Sequence, residues 1–228
     1  MLYRKIRSYI DAHLRSNEDK ILLIEGARQI GKSYIIRDVG TELYDNYVEI
    51  NFVEDDAGDK IFRNVRTTEE FYLNLSMVAG FKLDKYENTL VFIDEIQHYP
   101  QFLTMLKFLR QEHRYRFICS GSLLGIALKK TVSVPVGSII PKKMYQLDFE
   151  EFLIANDFGE DAIVHLRKSF EQKQPLAPEV HDKVLSLFKR YLLVGGMPDA
   201  VNEYLNSHNI VKVREAQESI RELYGVDA

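Results

Sequence analysis

The stretch GARQIGKS, from Gly26 to Ser33, constrains the fold more than any other part of the chain. It follows the apolar run ILLI at residues 21–24 and precedes KSYIIRDV, whose apolar residues recur at helical spacing over residues 32–39. A glycine-bearing turn between a buried strand and a helix lets backbone N–H groups point inward around an anion, with the positive end of the helix behind them. Gly26 and Gly31 permit backbone angles and close approaches that a Cβ would block. Ala27, Arg28, Gln29 and Ile30 form the loop interior, and Tyr34 continues the contact into the first helical turn. Lys32 has the reach to meet the β- and γ-phosphates of a nucleotide, and the Ser33 hydroxyl has the chemistry of a Mg²⁺ ligand.

Short apolar or alternating runs at residues 21–24, 47–53, 89–93 and 115–119 alternate with helical patterns at 5–14, 32–39, 68–78 and 102–112. This order predicts an α/β unit with a mostly parallel sheet covered by helices on both faces. Thr68 reads as the cap of its helix, and a last strand is expected near residues 143–147. From Asp148 onward nearly everything reads as helix, at 149–156, 161–172, 178–193, 198–205 and 210–224. The expected organisation is therefore an α/β domain at 1–147 and a small all-helical lid at 148–228. In VGGMPDAV, Gly195 reads as a left-handed helix end and Pro198 as the start of the next helix.

The third strand, LVFIDEIQ, ends in a second chemical signal. Asp94 is placed to hold Mg²⁺, directly or through water, and Glu95 to polarise a water for in-line attack on a γ-phosphate. In a phosphate-loop fold the strand carrying these acids is expected beside the strand that feeds the loop. The fourth strand ends in CSGSLLG, where Ser120 or Ser122 is placed to meet the γ-phosphate or the attacking water. The residues do not choose between them, and Ser122 stands as the candidate nucleotide contact. Arg190 is a weaker candidate for a γ-phosphate-sensing arginine, Arg114 and Arg116 are weaker candidates for arginine fingers, and His98 reads as a surface residue.

Other classes are disfavoured. No [NT]KxD guanine signature stands at a strand end, and the DDAG after the second strand lacks that partner. The adjacent Asp-Glu pair favours water over a small-molecule acceptor. The six histidines are scattered without cysteine partners, and the one cysteine, Cys119, lies in an apolar run as a core residue would. A net charge of −4 gives no global case for nucleic acid. The absence of a long apolar run and a single thiol are what a cytoplasmic, non-membrane chain would have.

Together GARQIGKS, LVFIDEIQHYP, FICSGSLLG, SVPVGS with MYQLDFEEFL, and YLLVGGMPDAV resemble, in this order, a family of prokaryotic AAA-type ATP-binding proteins. The resemblance spans nearly the whole chain. It implies a RecA-like or AAA-like core, ATP as the nucleotide with Mg²⁺, and a helical lid. It assigns Gly26, Gly31, Lys32 and Ser33 to phosphate and Mg²⁺, Asp94 to the metal and Glu95 to catalysis. It draws notice to Arg28 and Gln29 in the loop. Members of that family continue into a C-terminal nuclease-like domain. The implied activity is ATP hydrolysis; the alternative is a slow nucleotide-gated interaction switch acting on a partner or a further domain. The partner and the oligomeric state are not written in the sequence, and a nucleic-acid partner has no local support.

Overall fold

A computed structural model describes residues 2–51, 61–80, 83, 85–122 and 137–226. The DDAG segment and the part of GSLLG beyond Ser122 lie outside the described residues. The chain divides into two compact units, Ile6–Met144 and Met1–Lys5 with Tyr145–Ala228.

In the first unit, α1 (Lys5–Arg15), β1 (Ile21–Glu25), α2 (Lys32–Leu43), β2 (Asn46–Asn51), α3 (Thr68–Ala79), β3 (Thr89–Asp94), α4 (Pro100–Glu112), β4 (Arg116–Gly121) and β5 (Ile139–Lys143) follow in order. The strands form one sheet in the order β2-β3-β4-β1-β5, with every neighbouring pair parallel. All six residues of β3 are buried, as a strand covered on both faces requires. On one face Ile21, Leu23, Val91, Ile93, Phe117 and Cys119 join a core with Phe62, Phe71 and Phe102. Phe71 sits 5.4 Å from Phe62, 5.8 Å from Phe102 and 6.1 Å from Phe117 between ring centroids, in tilted or edge-on geometry. The alternate residues Leu22, Ile24, Phe92 and Ile118 point the other way and are fully buried with Ile36 and Val39 of α2.

The sheet order corrects one expectation. The acid-bearing strand β3 is not beside β1, because β4 lies between them, pairing Ile118 with Leu22 on one side and with Phe92 on the other. Sequence order gives strand existence but not strand order. The last strand is also displaced: β5 is Ile139–Lys143, before the predicted 143–147. Pro141 disguises it, and is tolerated because β5 is an edge strand paired to β1 alone. The cap of α3 is Thr67 rather than Thr68: its hydroxyl accepts from Glu70 N at 3.2 Å, and Glu70 closes a capping box. Pro100 is itself the first residue of α4.

The second unit is helical: α5 (Phe149–Ala155), α6 (Glu160–Glu171), α7 (Pro178–Val194), α8 (Pro198–Ser207) and α9 (Ile210–Val226). Asp148 caps α5 in a capping box with Glu151. The same buried Glu151 carboxylate accepts from Arg4 Nε at 3.2 Å and from Lys5 N at 2.7 Å, which ties the N-terminal residues to this unit. Leu147, Phe152, Val194, Val201, Tyr204 and Val213 form its main core. Among the described residues no helix is long and apolar enough to cross a membrane.

The two glycines of VGGMP act differently. Gly195 ends α7 at φ 72°, ψ −168°, a region open to glycine alone rather than the left-handed helical one expected. Gly196 accepts a 2.7 Å hydrogen bond from Leu147 N, and a Cβ there would lie 2.1 Å from Leu147 O. Gly196→Ala is therefore expected to destabilise the helical unit by about 1–3 kcal/mol, the usual cost of overpacking. Denaturant unfolding followed by circular dichroism checks it, and an unchanged midpoint would contradict the close approach.

Candidate functional site

The loop between β1 and α2 is shaped by three residues. Gly31 precedes α2 at φ 89°, and Gln29 is also left-handed at φ 59°. At Gly26 a Cβ would lie 2.4 Å from Met144 O and 2.6 Å from Ile30 Cδ1, so only glycine fits. Buried Ile30 anchors the loop's middle in the core, while Ala27 is exposed and Arg28 half-buried. Tyr34, in the first turn of α2, is 57 % exposed.

Lys32 is the loop's one buried cation among the described residues, at 4 % exposure. Its Nζ donates to the carbonyls of Gly26 at 3.0 Å and Ala27 at 2.7 Å, and stands 4.0 Å from Glu95 Oε1. Burial lowers its pKa below the ordinary lysine value, opposed by Glu95 and Asp94.

Asp94 ends β3 and is nearly fully buried. Its Oδ2 accepts from Ser33 Oγ at 2.6 Å and from Asn51 Nδ2, at the end of β2, at 3.4 Å. Its Oδ1 accepts from Glu95 N at 3.0 Å and from Ser120 Oγ at the end of β4. Strand ends and the first turn of α2 thus converge on one carboxylate. The placement comes from the parallel sheet, which brings the C-terminal ends of β2, β3, β4 and β1 to one edge.

Glu95 leaves the strand in a left-handed conformation, φ 48° and ψ 43°. For a residue with a Cβ this costs about 1–2 kcal/mol, a strain that turns the side chain away from the strand direction. Its Oε2 accepts from Ser122 Oγ at 2.8 Å and from Gln97 Nε2. Burial opposes its ionisation, but these hydrogen bonds, with Lys32 and Arg28, outweigh burial and hold its pKa below the ordinary glutamate value.

The residues expected from sequence fall into two groups. Gly26, Gly31, Lys32, Ser33, Asp94, Glu95 and Ser122 are brought together. The two serines separate by partner, Ser120 serving Asp94 and Ser122 serving Glu95. Arg114 and Arg116 lie at the opposite, N-terminal end of β4. There Arg114 stacks over Tyr72 at 4.6 Å, and Arg116 donates to the carbonyls of His13, Ser16 and Glu18. Arg190 donates to Tyr204 OH at 3.1 Å, and His98 is exposed. Asn51 and Gln97 escape a sequence reading; Gln97 in DEIQ is the one with a local signal, since a tight turn after Glu95 brings its amide back.

A parallel five-stranded sheet with this loop after β1 and an acid pair after β3 is the architecture of the P-loop NTPases. The model of the AAA domain family matches residues 18–153, and the chain belongs to that family. Similar solved structures include C. elegans PCH-2, at 15% identity and TM-score 0.51 over 92% of this chain and 65% of that one. AMPPCP-bound DnaA from Aquifex aeolicus is similar at 15% identity and TM-score 0.51, over 87% of this chain and 58% of that one. The S. cerevisiae Hsp104–ADP complex matches 99% of this chain and 33% of that one, at 16% identity and TM-score 0.50. The chain thus spans less than two thirds of the length of each of these proteins. No curated protein matches the sequence.

Proposed function

We propose that the chain binds Mg·ATP in the loop from Gly26 to Ser33 and hydrolyses it. The observation that carries this reading is the convergence of two pairs. Ser33 Oγ lies 2.6 Å from Asp94, and Lys32 Nζ lies 4.0 Å from Glu95. A hydroxyl beside a carboxylate and an ammonium beside a second carboxylate are the parts that a metal–triphosphate and its attacking water call for.

Each role comes from the chemistry of its group. Backbone N–H groups of residues 27–31 and the start of α2 receive the phosphates. Lys32 exchanges its two loop carbonyls for phosphate oxygens, a gain because the acceptors become charged. Ser33 and Asp94 are hard oxygen donors that fit Mg²⁺, which when bound supplies charge neutralisation at the phosphates. Glu95 takes the proton of a water that attacks the terminal phosphorus in line, breaking the bond to the ADP oxygen. The AMPPCP and ADP carried by two of the similar structures support nucleotide as the ligand class.

Ser33→Ala and Asp94→Asn are expected to raise the Mg²⁺ concentration needed for half-maximal turnover by about 10–100-fold, the range for disturbed metal sites. A Mg²⁺ titration at saturating ATP checks this. An unaltered requirement in both variants would contradict the assignment.

A further inference from the structure

We propose that Gln97 is a positioning residue for this site: with Ser122 it holds Oε2 of Glu95, leaving Oε1 as the oxygen that takes the proton of the attacking water. The proposal rests on the hydrolytic reading above.

Two side chains donate to Oε2 of Glu95. A glutamine amide has two N–H protons and a serine hydroxyl one. Gln97 Nε2 donates to Glu95 Oε2 and, at 3.2 Å, to Ser122 Oγ. The Ser122 proton then goes to the same Glu95 Oε2 at 2.8 Å. Two donors converge on one carboxylate oxygen, and the amide nitrogen and the hydroxyl also hold each other beside it. The other oxygen, Oε1, faces Lys32 Nζ at 4.0 Å.

The amide's orientation is set by Glu95. Gln97 Oε1 is buried without a hydrogen-bond partner among the described residues. A buried orphan acceptor is unfavourable, and turning the amide over would offer it a new environment. That turn would set the amide oxygen against the Glu95 carboxylate, so the orphan is retained and the amide nitrogen stays on the triangle. The backbone enforces the same geometry. A 3₁₀ turn, Ile96–His98, comes directly after the left-handed Glu95. His98 N donates to Glu95 O and Tyr99 N to Ile96 O, both at 3.1 Å, and Ile96 is fully buried. The turn carries residue 97 back to the carboxylate two positions earlier. Among the described residues the hydrogen bonds of the Gln97 side chain go to Glu95 and Ser122 alone.

A group held this way acts through Glu95, which defines the test. Single-turnover and steady-state ATP hydrolysis are measured for the wild type, Gln97→Leu, Glu95→Gln and the double variant. Gln97→Leu is expected to lower the hydrolysis rate about 10–100-fold with KM unchanged, as a misplaced base does. In the Glu95→Gln background it is expected to have no further effect on the rate, because the base that Gln97 positions is gone. Ser122→Ala removes the other arm and is expected to show the same dependence on Glu95, which keeps the test valid if Gln97→Leu does not fold. An unchanged rate in Gln97→Leu, or equal losses in both backgrounds, would overturn the role of Gln97 and leave the hydrolytic reading standing. A wild-type chain that binds ATP and never turns it over would overturn both.

Discussion

Lys32→Ala is expected to lower affinity for Mg·ATP by roughly 10²–10³-fold and to abolish turnover at ordinary ATP concentrations. The side chain is 4 % exposed and spans two carbonyls, those of Gly26 and Ala27, at 3.0 and 2.7 Å. In the proposed nucleotide complex the same ammonium would face charged oxygens. Charge-assisted hydrogen bonds contribute about 1.5–3 kcal/mol each. Two of them come to about 3–6 kcal/mol, or 10²–10⁴-fold at 1.4 kcal/mol per tenfold, and giving up the two loop carbonyls brings the net effect to the lower half of that span. Alanine cannot fill the role, and among the described residues no other buried lysine lies in the loop. Equilibrium binding of a fluorescent ATP analogue measures the effect. Wild-type affinity in this variant would remove Lys32 from the site.

Glu95→Gln is expected to separate binding from turnover. A positioned general base contributes about 10²–10⁴-fold to a rate, and the variant should lose that factor. Glutamine has the same size and offers an oxygen to Ser122 and Gln97, so the loop, Asp94 and the turn at Ile96–His98 are left in place. Removing a negative charge beside a triphosphate favours binding, so the nucleotide dissociation constant is expected to stay level or fall. Stopped-flow phosphate release with parallel binding measurements gives both numbers. Turnover equal to wild type would move the base elsewhere.

The candidate site is legible in the sequence where it is local. The loop and the acid pair each occupy a few consecutive residues, and an apolar strand before each one fixes the geometry they need. Features set by pairing between distant segments are not legible. Placing β4 between β1 and β3 depends on side-chain packing over the whole sheet, and it is what makes Ser120 a partner of Asp94. Arg114 and Arg116 sit close in sequence to the serines, yet a strand of six residues puts them at the far end of β4. Arg4 and Glu151 are 147 residues apart and share one buried ion pair. Gln97 lies between these cases. Its residue type stands next to the acid pair, but its partnership depends on the left-handed turn at Glu95, which no residue preference predicts.

ATP hydrolysis at the C-terminal ends of these strands, as proposed above, is decided by phosphate release from Mg·ATP by the wild-type chain, set against Lys32→Ala and Glu95→Gln under the same conditions. The expected result is turnover in the wild type that both variants lose, with ATP binding kept in Glu95→Gln alone. Wild-type chain that binds Mg·ATP without releasing phosphate, or release that persists in Glu95→Gln, would contradict it.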